Sequence, residues 1–398
     1  MVLSWIVTRN AEPVTTERLS PQSKPHVFIP KALRAVGLAV ASAGVSVCGW
    51  ANTGVVVATM NATGGLSLSN CVGCGSTYQK EVRDSSGNLY LAHSEMYNGK
   101  RRVFLARSTD NGATWANTTA APIETAGDVP TADSYDQSDP ALAIDSFDVL
   151  HLVWGGTNNS LDVSGGVEPK LVYSSAPVPG TAWSPYVKIP ANAYEGSEGP
   201  FMIAVDGLDG LHIAWSGQDS GGYDNAVRYS SRSAASSQWT PFVEVNVGAN
   251  EEHYPAMVIG ADNAVHLTAG QKLGHAGGAD VSVVYASRTL TGGWSPWTTV
   301  AYVSPYYIDN AFTSLVITSS GTLFVAWSGP DATYPQQQAK YSTLSPGGSW
   351  SAPLNIQPIA GSPEYDVSLA VDDADRVYAV WTSSDGGNPI LNIKKSVY

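Results

Sequence analysis

The chain has 398 residues, of which 43% are hydrophobic and only 14% charged, and its formal net charge is −13. No basic run occurs anywhere, which argues against a nucleic-acid partner, because phosphate binding needs a clustered positive surface. Sparse charge with 39 glycines suits short strands and many turns, and argues against long helices or a disordered acidic tail.

The first 51 residues read as a targeting segment. Lys31 and Arg34 precede an apolar stretch, Ala35 to Val47, followed by small residues, the pattern of a secretory signal behind a long polar leader. Cleavage fits after Ala43 or after Ala51. The second removes Cys48 and leaves Cys71 and Cys74 as an even pair. A lipid anchor at Cys48 is disfavoured by the bulk of Val47. The apolar stretch is short for a membrane span, and no other candidate follows. The expectation is a leader over 1–51 and one domain over 52–398, secreted or periplasmic, without membrane association beyond export. Gly54 to Met60 and Leu66 to Ser69 read as short strands. In CVGC, Cys71 to Cys74, zinc would lack two further ligands, which leaves a local disulfide or free thiols.

From Tyr78 onward one pattern returns. It is written YQKEVRDSSGNLYLAHSE from Tyr78, DPALAIDSFDVLHLVWG from Asp139 and GPFMIAVDGLDGLHIAWSG from Gly199. It comes again from Tyr254, Phe312 and Asp366, at intervals of roughly 55–60 residues. Each copy is an apolar run, a short Asp/Gly/Asn turn and a second apolar run, which predicts a β-hairpin. A third strand follows, then a turn ending in tryptophan. The clearest turn is STDNGATW, Ser108 to Trp115, and degenerate versions end at Trp183, Trp239, Trp294 and Trp350. In such a turn Asp and Asn tie down backbone N–H groups, Gly takes a positive φ and Trp plugs between sheets. Asp110 is therefore read as structural. A repeat over nearly the whole chain means one large all-β domain.

The form SxDxGxTW is the Asp-box, and from about Tyr78 to the C-terminus the chain resembles the sialidase-like, BNR-repeat proteins. The resemblance implies a β-propeller of four-stranded antiparallel blades. Six copies predict six blades. The last hairpin is followed only by LNIKKSVY, so the N-terminal strand Gly54 to Met60 is expected to complete that blade and close the ring.

Aligning the strand starts brings Tyr78, Asp139, Pro200, Tyr254, Phe312 and Asp366 to one repeat position. Ser76, Gln137, Glu198, Glu252, Asn310 and Glu364 stand two residues earlier. The expectation is that these side chains converge at the axial mouth, opposite the hairpin turns and boxes. Crowded carboxylates raise at least one pKa, which suits general-acid chemistry on a glycosidic bond. The catalytic candidates are Glu252, Tyr254, Glu198, Asp139 and Glu364, with His253 and Tyr365 beside them to contact substrate. Trp154, Trp215, Trp327 and Trp381, after the second strands, could stack on sugars, although recurrence at one position also fits packing between blades. His151, His212 and His266 share a strand position with Tyr90, Phe324 and Tyr378, which marks them as core residues. No metal site or cofactor is expected.

The resemblance also implies three arginines on a substrate carboxylate, the first in an Arg-Ile-Pro element. Here that stretch is Thr77-Tyr78-Gln79, which argues against authentic sialidase activity. The reading is a monomeric, exported glycoside hydrolase with a glycan or polysaccharide substrate at the propeller mouth. The alternatives are a non-catalytic lectin or adhesin and a protein-interaction scaffold.

Overall fold

The computed structural model describes residues 81–395 apart from 98–99, 113, 118–136, 157–169, 190–196, 219–224, 246–249, 273–280, 305–311, 331–336, 357–363, 373 and 386–387. The leader, both CVGC cysteines, Ser76, Tyr78 and the proposed closing strand lie outside the described residues.

The described residues contain strands and turns, and the strands form six antiparallel sheets in chain order. The first is β1 (Glu81–Arg83), β2 (Leu89–Tyr97), β3 (Lys100–Ser108) and β4 (Ala116–Asn117). The second is β5 (Gln137–Ile144), β6 (Val149–Gly156), β7 (Lys170–Pro177) and β8 (Val187–Lys188). β9 (Ser197–Val205), β10 (Leu211–Gln218), β11 (Asn225–Arg232) and β12 (Val243–Glu244) make the third. The fourth holds β13 (Glu251–Ile259), β14 (Val265–Lys272), β15 (Val281–Arg288) and β16 (Thr298–Ser304). The fifth holds β17 (Thr313–Ile317), β18 (Leu323–Gly329), β19 (Gln338–Leu344) and β20 (Leu354–Asn355). The sixth has three strands, β21 (Glu364–Val371), β22 (Val377–Asp385) and β23 (Asn388–Lys395). Each sheet is a meander, and from the second onward its first strand packs on the sheet before it.

Both faces of an interior sheet are therefore covered by other sheets, and the apolar clusters lie between consecutive sheets. One joins Leu105 of the first sheet to Leu152 of the second, another joins Val153 to Ile213 of the third, and another joins Val316 to Leu369. The strand sequences are accordingly apolar at successive positions rather than strictly alternating, as in LHIAW of β10.

The box turn closes on Asp110. Its Oδ1 accepts from the Thr114 amide at 2.8 Å and from the Ser108 hydroxyl at 2.7 Å, and its Oδ2 accepts from the Thr114 hydroxyl at 2.6 Å. These bonds hold the carboxyl low, at about 2, the Thr114 hydroxyl contributing most. Asn111 and Gly112 take φ values of 61° and 84°, and the Trp115 indole donates to the Gly112 carbonyl at 3.1 Å. In the degenerate turns the residue after tryptophan takes over the tie, as where Ser184 Oγ accepts from the Ser175 amide at 3.1 Å. Those tryptophans meet the preceding sheet edge-on: Trp239 on Tyr173, Trp294 on Tyr229 and Trp350 on Tyr285, with centroids 5.2–5.3 Å apart. Arg83, just before the first hairpin turn, donates to Asn111 at 2.8 Å, so hairpin turn and box share one end of the sheet.

The core histidines carry more than shape. His212 bridges Tyr229 Oη at 2.5 Å and Asp206 Oδ2 at 2.9 Å, and His151 bridges Tyr173 and Asp145 at 2.7 and 3.1 Å. Where the strand residue is tyrosine, its own hydroxyl reaches the turn aspartate, Tyr90 to Asp84 at 3.0 Å and Tyr378 to Asp372 at 2.8 Å.

Candidate functional site

The ends of the sheets opposite the hairpin turns hold the strand starts and the segments that leave the second strands. Two of these starts are kinked. In β5 the pairing with β6 slips between Ser138 and Ala141, and in β13 the pairing with β14 slips between His253 and Ala256. The extra residue sits in left-handed backbone, Asp139 with φ 50° and Tyr254 with φ 55°. Such a conformation costs a side-chain-bearing residue roughly 1–2 kcal/mol. β9 and β21 carry irregularities at the same level, and the backbones of Glu198 and Tyr365 lie beside them.

The described side chains at the shared repeat position, Gln137, Glu252 and Glu364, are engaged within and between sheets rather than presented at an open axial mouth. A strand presents side chains to the two faces of its sheet, and both faces here are covered. Gln137 Oε1 accepts from the Val103 amide of β3 at 2.9 Å. Glu364 is fully buried; its Oε2 accepts from the Ala339 amide of β19 at 2.8 Å and its Oε1 from the Trp381 indole at 2.9 Å. Burial pushes the Glu364 carboxyl above the usual range, against the pull of these two bonds. In Gln137 and Glu364 this position ties a first strand to the third strand of the sheet before it, which makes Glu364 a connector between sheets.

Glu252 stands at the same position with different surroundings. It is 2% exposed, and its Oε1 accepts from the Gln271 amide, directly across the ladder on β14, at 2.9 Å. Burial raises its carboxyl to about 7, opposed by the Gln271 bond and reinforced by the charges of Glu244 and Glu251. Glu244 belongs to β12, so the carboxyl lies in the seam between the third and fourth sheets. Glu251 accepts from Lys272 Nζ at 3.3 Å and lies 3.4 Å from His253 Nε2. The Tyr254 amide donates to Ser216 Oγ of β10 at 3.0 Å. The Tyr254 ring lies 4.1 Å from that of Phe312 and 5.6 Å from that of His253. Glu251, Glu252, His253 and Tyr254 are thus gathered at the head of the fourth sheet, while Asp139 belongs to the second sheet and Glu364 to the sixth.

The four recurrent tryptophans fill the packing role. Trp154, Trp215, Trp327 and Trp381 are at most 2% exposed and sit within the apolar clusters, so none presents an indole face for a sugar. Of Arg101, Arg102 and Arg228, the arginines nearest to a place for a carboxylate clamp, the first is half-buried and the other two are buried like the tryptophans. Arg228 is 1% exposed, 4.9 Å from the Phe242 ring centre and 3.8 Å from Glu244, and Arg102 is 4% exposed. Among the described residues no His, Cys, Asp and Glu group is arranged to hold a metal ion. Phe312, Lys272 and Gln271 were not legible as site residues. Lys272 and Gln271 end a second strand, in the loop region where the tryptophans drew attention, and Phe312 showed only as an apolar member of the ring position.

No family model matches the chain, and no curated protein matches it in sequence. Solved structures do. An α-L-arabinanase from Penicillium chrysogenum superposes with a TM-score of 0.55 at 14% identity, over 80% of this chain and 92% of that one. A polysaccharide lyase, the ulvan lyase of PL25, gives 0.54 at 12% identity, over 79% of each chain. The Hadza microbial sialidase Hz136 gives 0.54 at 17% identity; 80% of this chain is covered, and it spans 65% of the sialidase's length. The chain has the sialidase-like β-propeller fold.

Proposed function

We propose that the protein is an exported glycoside hydrolase, a six-bladed propeller closed by Gly54 to Met60, acting on a glycan or polysaccharide at the head of the fourth blade. Neighbours that are glycosidases and a polysaccharide lyase support a carbohydrate substrate. The observation that carries the reading is the Glu252 carboxyl, 2% exposed at the head of the fourth sheet, held by Gln271 and raised to about 7 by burial. A group that keeps its proton near neutral pH can give it to a departing glycosidic oxygen. Tyr254, two residues further along β13, supplies the companion group, while Glu251 is held by Lys272 and His253 on the other face of the strand.

A second reading, a glycan-binding propeller without catalysis, is favoured by the cover over Glu252 and by its repeat position, at which Gln137 and Glu364 only connect sheets. Both readings are tested together. Purified protein is screened against polysaccharides and chromogenic glycosides for cleavage and against a glycan array for binding. Cleavage abolished by Glu252→Gln establishes the hydrolase; binding without cleavage, unchanged by that substitution, establishes the lectin.

A further inference from the structure

We infer that Ser216 is a positioning residue: from the third sheet its hydroxyl holds the kink at Tyr254, and so fixes where that side chain stands at the head of the fourth. The consequence for catalysis rests on the hydrolase reading above, and Ser216 is a residue from another sheet that the reading does not use. Ser216 lies in β10 directly after Trp215 and is fully buried. Its Oγ accepts from the Tyr254 amide at 3.0 Å.

The kink needs such a hold. Left-handed backbone at φ 55° is costly for a residue with a large side chain, and the slip between His253 and Ala256 takes Tyr254 out of register with β14. An enclosed amide that left the ladder unbonded would add a desolvation cost to this strain, and the Ser216 hydroxyl removes that cost.

Repeat position alone does not produce the bond. Ser94, Gly155, Gly270, Ser328 and Thr382 stand where Ser216 stands, each directly after the residue that matches Trp215. The Ser94 and Ser328 hydroxyls are enclosed, and among the described residues neither has a hydrogen-bond partner. The second sheet has the same kink at Asp139, yet the Ser94 hydroxyl of the first sheet makes no bond to it. Gly155 precedes the sheet that carries Pro200 at the matching position, which has no N–H to offer. Among the described residues, hydroxyl and kink are joined in the seam that also holds Glu252, between the third and fourth sheets. A tyrosine acting beside an acid gains from a backbone fixed across the seam, because a misplacement of about 1 Å costs on the order of a hundredfold in rate.

The test uses the intact protein labelled with [15N]tyrosine, in which the Tyr254 signal is the one that Tyr254→Phe removes. Relative to the other tyrosine amides, that of Tyr254 should exchange slowly with solvent in the parent and about five- to tenfold faster in Ser216→Ala. Ser216→Thr keeps a hydroxyl, copies Thr382 and should retain the protection. With the best substrate of the glycoside screen, Ser216→Ala should lose about tenfold or more in kcat with KM within about twofold, and Ser216→Thr should restore kcat to within about threefold. Four outcomes would each overturn the assignment: unchanged exchange in folded Ser216→Ala, a freely exchanging amide in the parent, protection lost in the threonine variant as well, or unchanged kcat in a variant that has lost the bond. If the alanine variant does not fold, Ser216→Gly, which copies the second and fourth sheets, takes its place; if neither folds, the parent and the threonine variant decide. A parent that cleaves nothing removes the hydrolase, and the exchange measurement then decides the hold on Tyr254 by itself.

Discussion

Asp148 clasps Ser85. From the hairpin turn of the second sheet its Oδ1 accepts from the Ser85 amide at 2.8 Å, and its Oδ2 from the Ser85 hydroxyl, in the hairpin turn of the first. Asp209 does the same to Ser146, Asp375 to Ser319, and Asn263 accepts from the Gly207 amide at 2.7 Å. All four clasping residues have φ between 59° and 61°, a conformation that Asp and Asn tolerate and that turns the side chain toward the neighbouring sheet. Turns that are loops within each sheet thereby become ties between sheets.

Removing a clasp should cost little locally and loosen one junction. Asp148→Ala loses two exposed hydrogen bonds and keeps an unfavourable φ, so about 1–2 kcal/mol is expected. Asp148→Gly relieves the backbone and should cost less than the alanine variant. Urea denaturation of the three proteins orders them; alanine no worse than glycine would remove the clasp from the account.

Asp110 gives a pH signature at the box. Its carboxyl is held at about 2 by the Thr114 and Ser108 bonds, below the usual range, so its contribution is present above about pH 4 and fades as pH falls through about 2. Asp110→Asn should melt at a lower temperature than the parent at pH 7, with the gap narrowing toward pH 2. A gap that persists unchanged at pH 2 would point to shape rather than charge.

The core histidines, His151 and His212 buried and His266 half-buried, act in the opposite direction. Burial holds His151, His212 and His266 below their usual pKa despite their acceptor partners, so unfolding takes up protons as pH drops below about 6.5 and stability is lost on that side. His212→Tyr alone crowds Tyr229 and should destabilise by about 1–3 kcal/mol. Adding Tyr229→Leu rebuilds the first sheet's pairing, in which Tyr90 stands two residues before the partner of Leu105. The double variant should recover most of the loss and be less acid-sensitive between pH 6.5 and 5 by urea melts. A double variant no better than the single one would refute the equivalence of the two pairings.

Glu252 ties stability to activity. A carboxyl raised to about 7 stabilises the fold below about pH 4.5 and loses that contribution as pH rises through about 7. Glu252→Gln should therefore gain on the parent at pH 8, by on the order of 2 kcal/mol, and match it near pH 4.5. In the hydrolase reading the same variant loses at least about a hundredfold in rate, and the parent's rate falls above about pH 7. A parent rate still rising at pH 8.5 would take Glu252 out of the acid role.

The sialidase question has a direct readout. With Arg102 and Arg228 4% and 1% exposed and Arg101 half-buried, a three-arginine clamp is not assembled from these residues, and sialosides should be neither cleaved nor bound in preference to neutral sugars. Turnover of a chromogenic sialoside at ordinary enzymatic rates would contradict this.

What the sequence by itself determined is everything that repeats along the chain. Hairpin, third strand and tryptophan turn are local patterns of apolar runs and turn residues, so the antiparallel sheets, the Asp110 turn and the core place of His151, His212 and His266 could be read directly. Equivalence between copies was legible too, because each copy meets the same neighbours. Which face a side chain takes was not. The acids of one repeat position looked like one axial cluster, yet Glu364 faces the Ala339 amide and Glu252 the seam beside Glu244, because stacked sheets cover both faces of a strand. The recurrent tryptophans were ambiguous in sequence for the same reason, and burial in the seams resolved them. The Asp148–Ser85 clasp and the Tyr254–Phe312 contact join residues from different sheets. They depend on how far each sheet is rotated on the last and on a bulge that turns one residue out of register. Neither leaves a period in the chain, so only the tertiary structure decided them.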